Sequence, residues 1–148
     1  MKISHSKLKG CVIIEPHVFG DERGFFLETF QAVRYEREAG IDLAFVQDNH
    51  SRSARGVLRG LHFQKTKPQG KLVRVVRGEV YDVALDIRKG SATFGEWEGV
   101  ILSEDNKKQF WVPPGFAHGF VVLSATADFE YKCTDYYDPS DEGSILWS

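Results

Sequence analysis

Arg59 and His62 stand three residues apart in "LRGLHFQ" (58–64), a stretch whose Leu58, Leu61 and Phe63 otherwise mark it as a packing strand. An imidazole among apolar neighbours serves as a hydrogen-bonded structural group, a metal ligand or a base, since its unperturbed pKa lies near neutrality. Side chains alternate along a strand, so His62 shares a face with Gly60 and Gln64, which leave room for a ligand. Arg59 belongs to the opposite face unless a bulge intervenes, and Gly60 is where a bulge fits.

His118 follows a Pro-Pro-Gly turn in "PPGFAHGF" and opens another strand. Two histidines on separate strands invite a metal, because neutral imidazole is the commonest protein ligand for Zn, Fe and Ni. A metal-binding barrel of the cupin type wants a His-x-His pair followed by a Glu, and the residue two beyond His62 is Gln64. We therefore expect no metal. Tyr131, in "FEYKC", shares a face with Phe129 and Cys133; its phenol is either a core hydroxyl at the rim or a general acid, if a base faces it across a pocket. Six basic residues and no acidic ones lie between 59 and 77, of which Lys65, Lys67 and Arg77 read as solvated charges.

These groups need elements to hold them. "TFQAVRYEREA" (29–39), closed by Gly40, predicts one short helix. The remainder predicts strands. "KLVRVVRGEVYDVALDIRKG" (71–90) has the pattern of a hairpin around "RGE", with Tyr81, Val83, Leu85 and Ile87 as its packing face and Val80, Asp82, Ala84 and Asp86 opposite. Further strands are predicted at 97–103, 108–114, 118–124 and 127–137. Short strands at regular spacing with Gly, Pro, Asp and Ser between them indicate an all-β sandwich or jelly-roll barrel with a ligand in its mouth.

The chain of 148 residues, without repeat or linker, is expected to form one domain, 1–148. Its 11 Phe and single Met predict an aromatic core. A net charge of −2 argues against binding a nucleic acid polymer or an anionic membrane through the overall field. Cys11 and Cys133 lack CxxC spacing and read as buried thiols of a reducing, cytoplasmic compartment. The N-terminal apolar run is too short for a signal segment or membrane span.

The segments "FGDERGFFLETF" (19–30), "FVQDNHSRSARGVLRGLHFQ" (45–64), "QGKLVRVVRGEVYDVALDIRKGSATFGEW" (69–97), "WVPPGFAHGFVVLS" (111–124) and "FEYKCTDYYDPSDEGSILW" (129–147) occur in order across nearly the whole chain. In this combination the sequence closely resembles the dTDP-4-dehydrorhamnose 3,5-epimerases, cupin-fold isomerases of dTDP-rhamnose and deoxysugar biosynthesis for cell-surface polysaccharide. The resemblance implies a double-stranded β-helix, a dTDP-linked 4-keto-6-deoxyhexose as substrate, epimerisation at C3 and C5 or at C3 alone, a homodimer, and no cofactor, because the ketone is the electron sink. It implies His62 as base, Tyr131 as acid and Lys71 as the cation beside the enolate oxygen.

It further implies that Arg23, Glu28, Gln47, Asn49, Arg59, His118 and Glu142 contact the nucleotide sugar and that Tyr137 stacks on thymine, with Arg23 and Glu28 serving the neighbouring subunit's site. Two departures are visible. The stretch from His62 to Lys71 is one residue shorter than the family pattern, and family members carry, beyond "ILW", an Asp that pairs with the base and a Lys near the substrate. Within these 148 residues Asp82 is the candidate replacement for that Asp, or else the neutraliser of Lys71 or Arg59. Sugar-nucleotide 3,4-ketoisomerases use similar chemistry but show "RGxHAH" where this chain has "RGLHFQ". A nucleotide-sugar-binding homologue without turnover is the third alternative.

Overall fold

The computed structural model describes residues 1–148. Two antiparallel sheets face each other, and their facing side chains form one interior. The larger holds β1 (Lys2–His5), β2 (Val12–Glu15), β10 (Gln109–Val112), β7 (Lys71–Arg77), β12 (Thr126–Cys133) and β5 (Gln47–Ala54), in that spatial order. The smaller holds β13 (Glu142–Ser144), β6 (Leu58–Gln64), β11 (Phe116–Val122), β8 (Glu79–Asp86) and β9 (Trp97–Ser103). A separate hairpin, β3 (Val18–Asp21) with β4 (Gly24–Leu27), stands outside both sheets. No helix is long and apolar enough to cross a membrane.

The expected 71–90 hairpin does not form. The two strands exist, but β7 pairs with β10 and β12 while β8 pairs with β11 and β9 in the facing sheet. Gly78 makes the crossing at φ 80°, with Thr126 O only 2.2 Å from where a Cβ would stand. Crossing puts Val73 and Val75 of one strand and Val80 and Ala84 of the other into the same core cluster, face to face, which strands paired side by side could not do. The packing face of β8 is also reversed from expectation. Val80, Asp82, Ala84 and Asp86 are buried, while Tyr81, Val83 and Leu85 are only half-buried on the outside.

A buried aspartate on an inner face is costly unless paired. Asp86 meets this condition by accepting from Arg88 Nε at 3.0 Å, Ser91 Oγ at 2.6 Å and Thr93 Oγ1 at 2.6 Å. The Arg88 guanidinium holds its carboxyl well below the usual range. The apolar part of the interior is aromatic, with Phe110, Phe116, Phe120 and Phe129 buried and the last two stacked at 4.1 Å.

The helix, α1 (Ala32–Ala39), starts three residues later than the periodicity predicts, because Gln31 caps it by accepting from Arg34 N at 2.5 Å. Gly40 closes it at φ 70° as expected. Tyr35 and Ala39, one turn apart, seal Val12, Ile14, Leu72 and Trp111 on the outer face of the larger sheet. The rest of that face is ionic: Arg52 and His50 donate to Asp128, and Arg74 donates to Glu130.

β6 carries an extra residue against β11: His118 pairs with His62, but Phe120 pairs with Arg59. Gly60, at φ 122°, sits in this bulge, and a Cβ there would lie 2.6 Å from both Gly119 Cα and His118 O. Gly90 has φ 82° and open space around it. Gly90→Ala is therefore expected to cost about 1–2 kcal/mol from backbone conformation alone. Gly60→Ala should lose a further 1–3 kcal/mol or so from overpacking, measured as the difference in urea unfolding midpoints.

The Arg52 and His50 partners lower the Asp128 carboxyl from 3.8 to about 2. A carboxyl depressed in the folded state adds stability above its unfolded pKa and loses it as pH falls through the folded one. Asp128→Asn should thus be less stable than the parent above about pH 4, with the gap closing toward pH 2 in a series of thermal melts.

Candidate active site

Between the sheets lies an open cavity of about 610 Å³, with Phe120 and Phe129 of the aromatic core in its lining. The smaller sheet contributes His62 and Arg59 from β6 and His118 from β11; the larger contributes Lys71 from β7 and Tyr131 from β12. Gln47 and Asn49 of β5 line one wall, with Tyr137 and Glu142 at the rim. The bulge at Gly60 is what lets Arg59 and His62 share the cavity, since strict alternation would send them to opposite faces. Arg59 Nε donates to Ser53 Oγ at 2.9 Å, tying β6 to the facing sheet.

Arg23 and Glu28 are not in this cavity. Arg23 lies in the turn of the β3–β4 hairpin and pairs with Asp21 at 2.6 Å, while Glu28 pairs with Arg34. Exposed Phe19, Phe25 and Phe26 surround Arg23 on that hairpin.

Asp82 is not the partner of His62. Both its carboxylate oxygens lie 2.9 Å from Nε2 of His118, because strand pairing sets Asp82 of β8 beside β11, one strand further from β6. The carboxylate beside His62 is Glu142, whose Oε1 is 3.2 Å from Nδ1. That approach lacks hydrogen-bond geometry, so Nδ1 is buried without a partner. Glu142 Oε2 instead accepts from the Tyr137 hydroxyl at 2.8 Å. Arg59 has no carboxylate partner either.

Burial raises the Tyr131 phenol above its ordinary pKa. Burial lowers the Lys71 ammonium, against the upward pull of Cys133, Asp82 and Glu142. The Lys71 Nζ lies 5.6 Å from the centroid of the Tyr131 ring. Cys133, beside Lys71 in the β7–β12 register, is buried and unpaired, its thiol pushed up to about 11 by burial. No group of three or more His, Cys, Asp or Glu side chains is placed to hold a metal ion. Lys65, Lys67 and Arg77 are solvent-exposed.

Two supporting residues escape sequence reasoning. Gln64 Nε2 donates to Lys67 O at 2.8 Å and Tyr136 O at 3.2 Å, and its Oε1 accepts from Asp138 N at 2.8 Å. Asp141 accepts from Thr66 N and Lys67 N at 3.0 Å and 2.9 Å. Together they clamp the short 65–70 loop to the segment bearing Tyr137 and Glu142. The only sequence signal was a long amide at an inward strand position, where burial requires partners.

A Salmonella typhimurium dTDP-4-dehydrorhamnose 3,5-epimerase is 58% identical over 149 residues, covering 100% of this chain and 81% of that protein. The Pseudomonas aeruginosa enzyme of the same name is 55% identical over 148 residues, covering 100% and 82%. Among solved structures, the dTDP-6-deoxy-D-glucose-3,5-epimerase of Legionella pneumophila, in complex with dTDP-4-keto-L-rhamnose, superposes with a TM-score of 0.96. It is 64% identical, with 99% of this chain and 78% of that one covered. Residues 5–148 also match the family profile described as dTDP-4-dehydrorhamnose 3,5-epimerase, and the chain belongs to that family.

Proposed function

We propose that this protein epimerises a dTDP-linked 4-keto-6-deoxyhexose at C3 and C5. The observation that carries this reading is the meeting of His62, Lys71 and Tyr131, from three strands and both sheets, around one cavity. The 4-keto group acidifies the protons on its flanking carbons. His62 takes such a proton from one face of the sugar, through the ring nitrogen turned away from Glu142. The electron pair moves into a C=C bond and onto the C4 oxygen, and the Lys71 ammonium offsets the charge there. A single well-placed donor of this kind is worth about 3–4 kcal/mol.

Tyr131 returns a proton to carbon from the opposite face, and the carbonyl re-forms. A phenol is protonated at neutral pH, as a donor must be at the start. Atoms and electrons balance without a cofactor, as the ketone accepts and releases the electron pair. Arg59 and His118 serve the nucleotide sugar, Arg59 at the pyrophosphate, where a planar fork of donors matches phosphate oxygens. Tyr137 stacks on the base at the rim, with Gln47, Asn49 and Glu142 as polar contacts. We place the reaction in the cytoplasm, which two buried, unpaired cysteines support.

Arg23 and Glu28 lie outside their own chain's cavity, on or just beyond an exposed aromatic hairpin, which supports their service in a partner's site within a homodimer.

Incubation with dTDP-4-keto-6-deoxyglucose in D₂O tests the chemistry. Deuterium is expected at both C3 and C5, and His62→Ala should slow labelling by about 10²- to 10⁴-fold. Binding of dTDP without any label in the parent protein would remove the epimerase reading and leave a binding protein. For the shared site, Arg23→Ala and His62→Ala proteins should each be impaired. After subunit exchange, the mixture should recover to about a quarter of parental activity, as the statistics of a two-fold dimer require. A mixture no better than its components would mean that Arg23 serves no neighbouring site.

A further inference from the structure

We propose that Asp82 is the positioning residue for His118, fixing which ring nitrogen faces the bound sugar nucleotide. Asp82 is fully buried on β8, and its only partner is Nε2 of His118, at 2.9 Å from each carboxylate oxygen. An ionised carboxylate only accepts, so that ring nitrogen must carry a proton. The only hydrogen bonds of the His118 ring are those of Nε2 to Asp82, so Nδ1 is left without a partner on a side chain that lines the cavity. Orientation and tautomer are thereby set from behind, by a group the substrate does not touch.

The packing leaves the ring little freedom otherwise. His118 lies nearly parallel to Phe129, with ring centroids 6.2 Å apart, and its backbone runs against Gly60 of the β6 bulge. Stacking selects a plane but does not distinguish a ring from the same ring turned over. Only the carboxylate does that. Asp82 also acts electrostatically on the cavity floor: burial lowers the Lys71 ammonium, and Asp82 is among the groups that pull it back up. An uncompensated charge at this depth would be costly, so its retention without a cationic side chain within ion-pair distance points to the imidazole as its counterpart.

The inference rests on the epimerase reading of the cavity, but one arm of its test does not. In protein labelled with ¹⁵N-histidine, the His118 signals, identified by loss in His118→Asn, should show a proton fixed on Nε2. In Asp82→Ala that preference should disappear. This arm holds whether or not the protein turns over substrate. In the kinetic arm, Asp82→Ala should reduce C3 exchange by about 10- to 100-fold, the range seen when the orienting partner of a ligand histidine is lost from metal sites.

Asp82→Asn, which keeps an acceptor oxygen, should restore most of the KM. In a His118→Ala background, Asp82→Ala should cost no more than about twofold further, because a residue acting through another has nothing left to act on. Equal losses from Asp82→Ala in both backgrounds, or an unchanged Nε2 proton in Asp82→Ala, would overturn the assignment. Failure of the parent to exchange deuterium, with the Nε2 proton still dependent on Asp82, would defeat the epimerase reading and leave the positioning contact standing.

Discussion

Two backbones touch where β6 bulges against its neighbour β11, and the rest of the site follows from that contact. A Cβ at Gly60 would meet Gly119 Cα, and a Cβ at Gly119 would meet Arg59 O, each at 2.6 Å. Glycine at both positions permits the approach, the bulge takes up the extra residue, and Arg59 and His62 consequently share the cavity. Without the bulge one of them would face away. The guanidinium of Arg59 and the imidazole of His62 could not then line one cavity.

The interior so formed is graded. Phe110 and Phe116 pack in the closed core, Phe120 and Phe129 belong both to that core and to the cavity lining, and His62, Lys71, His118 and Tyr131 surround the open space. β8 serves both ends by alternating Val80 and Ala84 with Asp82 and Asp86 along its buried face. Each aspartate is bearable because its partners come from fixed positions: a histidine on the adjacent strand for Asp82, and the turn after β8 for Asp86. The apolar end and the second cluster under α1 supply cohesion, which frees the polar end to carry groups that add little to stability.

The rim is held by backbone-directed side chains rather than by packing. Gln64, Asp141 and Gln47 each bind main-chain groups in or beside the 65–70 and 136–142 segments. Exposed loops carry little apolar area, so hydrogen bonds anchor them to the strands. Tyr137 and Glu142 therefore stand at defined positions at the mouth.

Alternation and turn residues alone determined that the chain is strand-rich, where most strands run, that α1 ends at Gly40, and that Gly60 is the place for a bulge. These are local properties, set by φ, by side-chain period and by burial preference. The residue types at 62 and 131 left structural and chemical roles open, and it was the family resemblance that implied proton transfer there, with Lys71 as the neighbouring cation. Only the tertiary structure decided pairing. The Val-rich runs around Gly78 went to opposite sheets, the inner face of β8 proved to be the one bearing aspartates, and Asp82 went to His118 instead of His62. Which strand lies beside which depends on contacts far apart in sequence, and no local pattern encodes them.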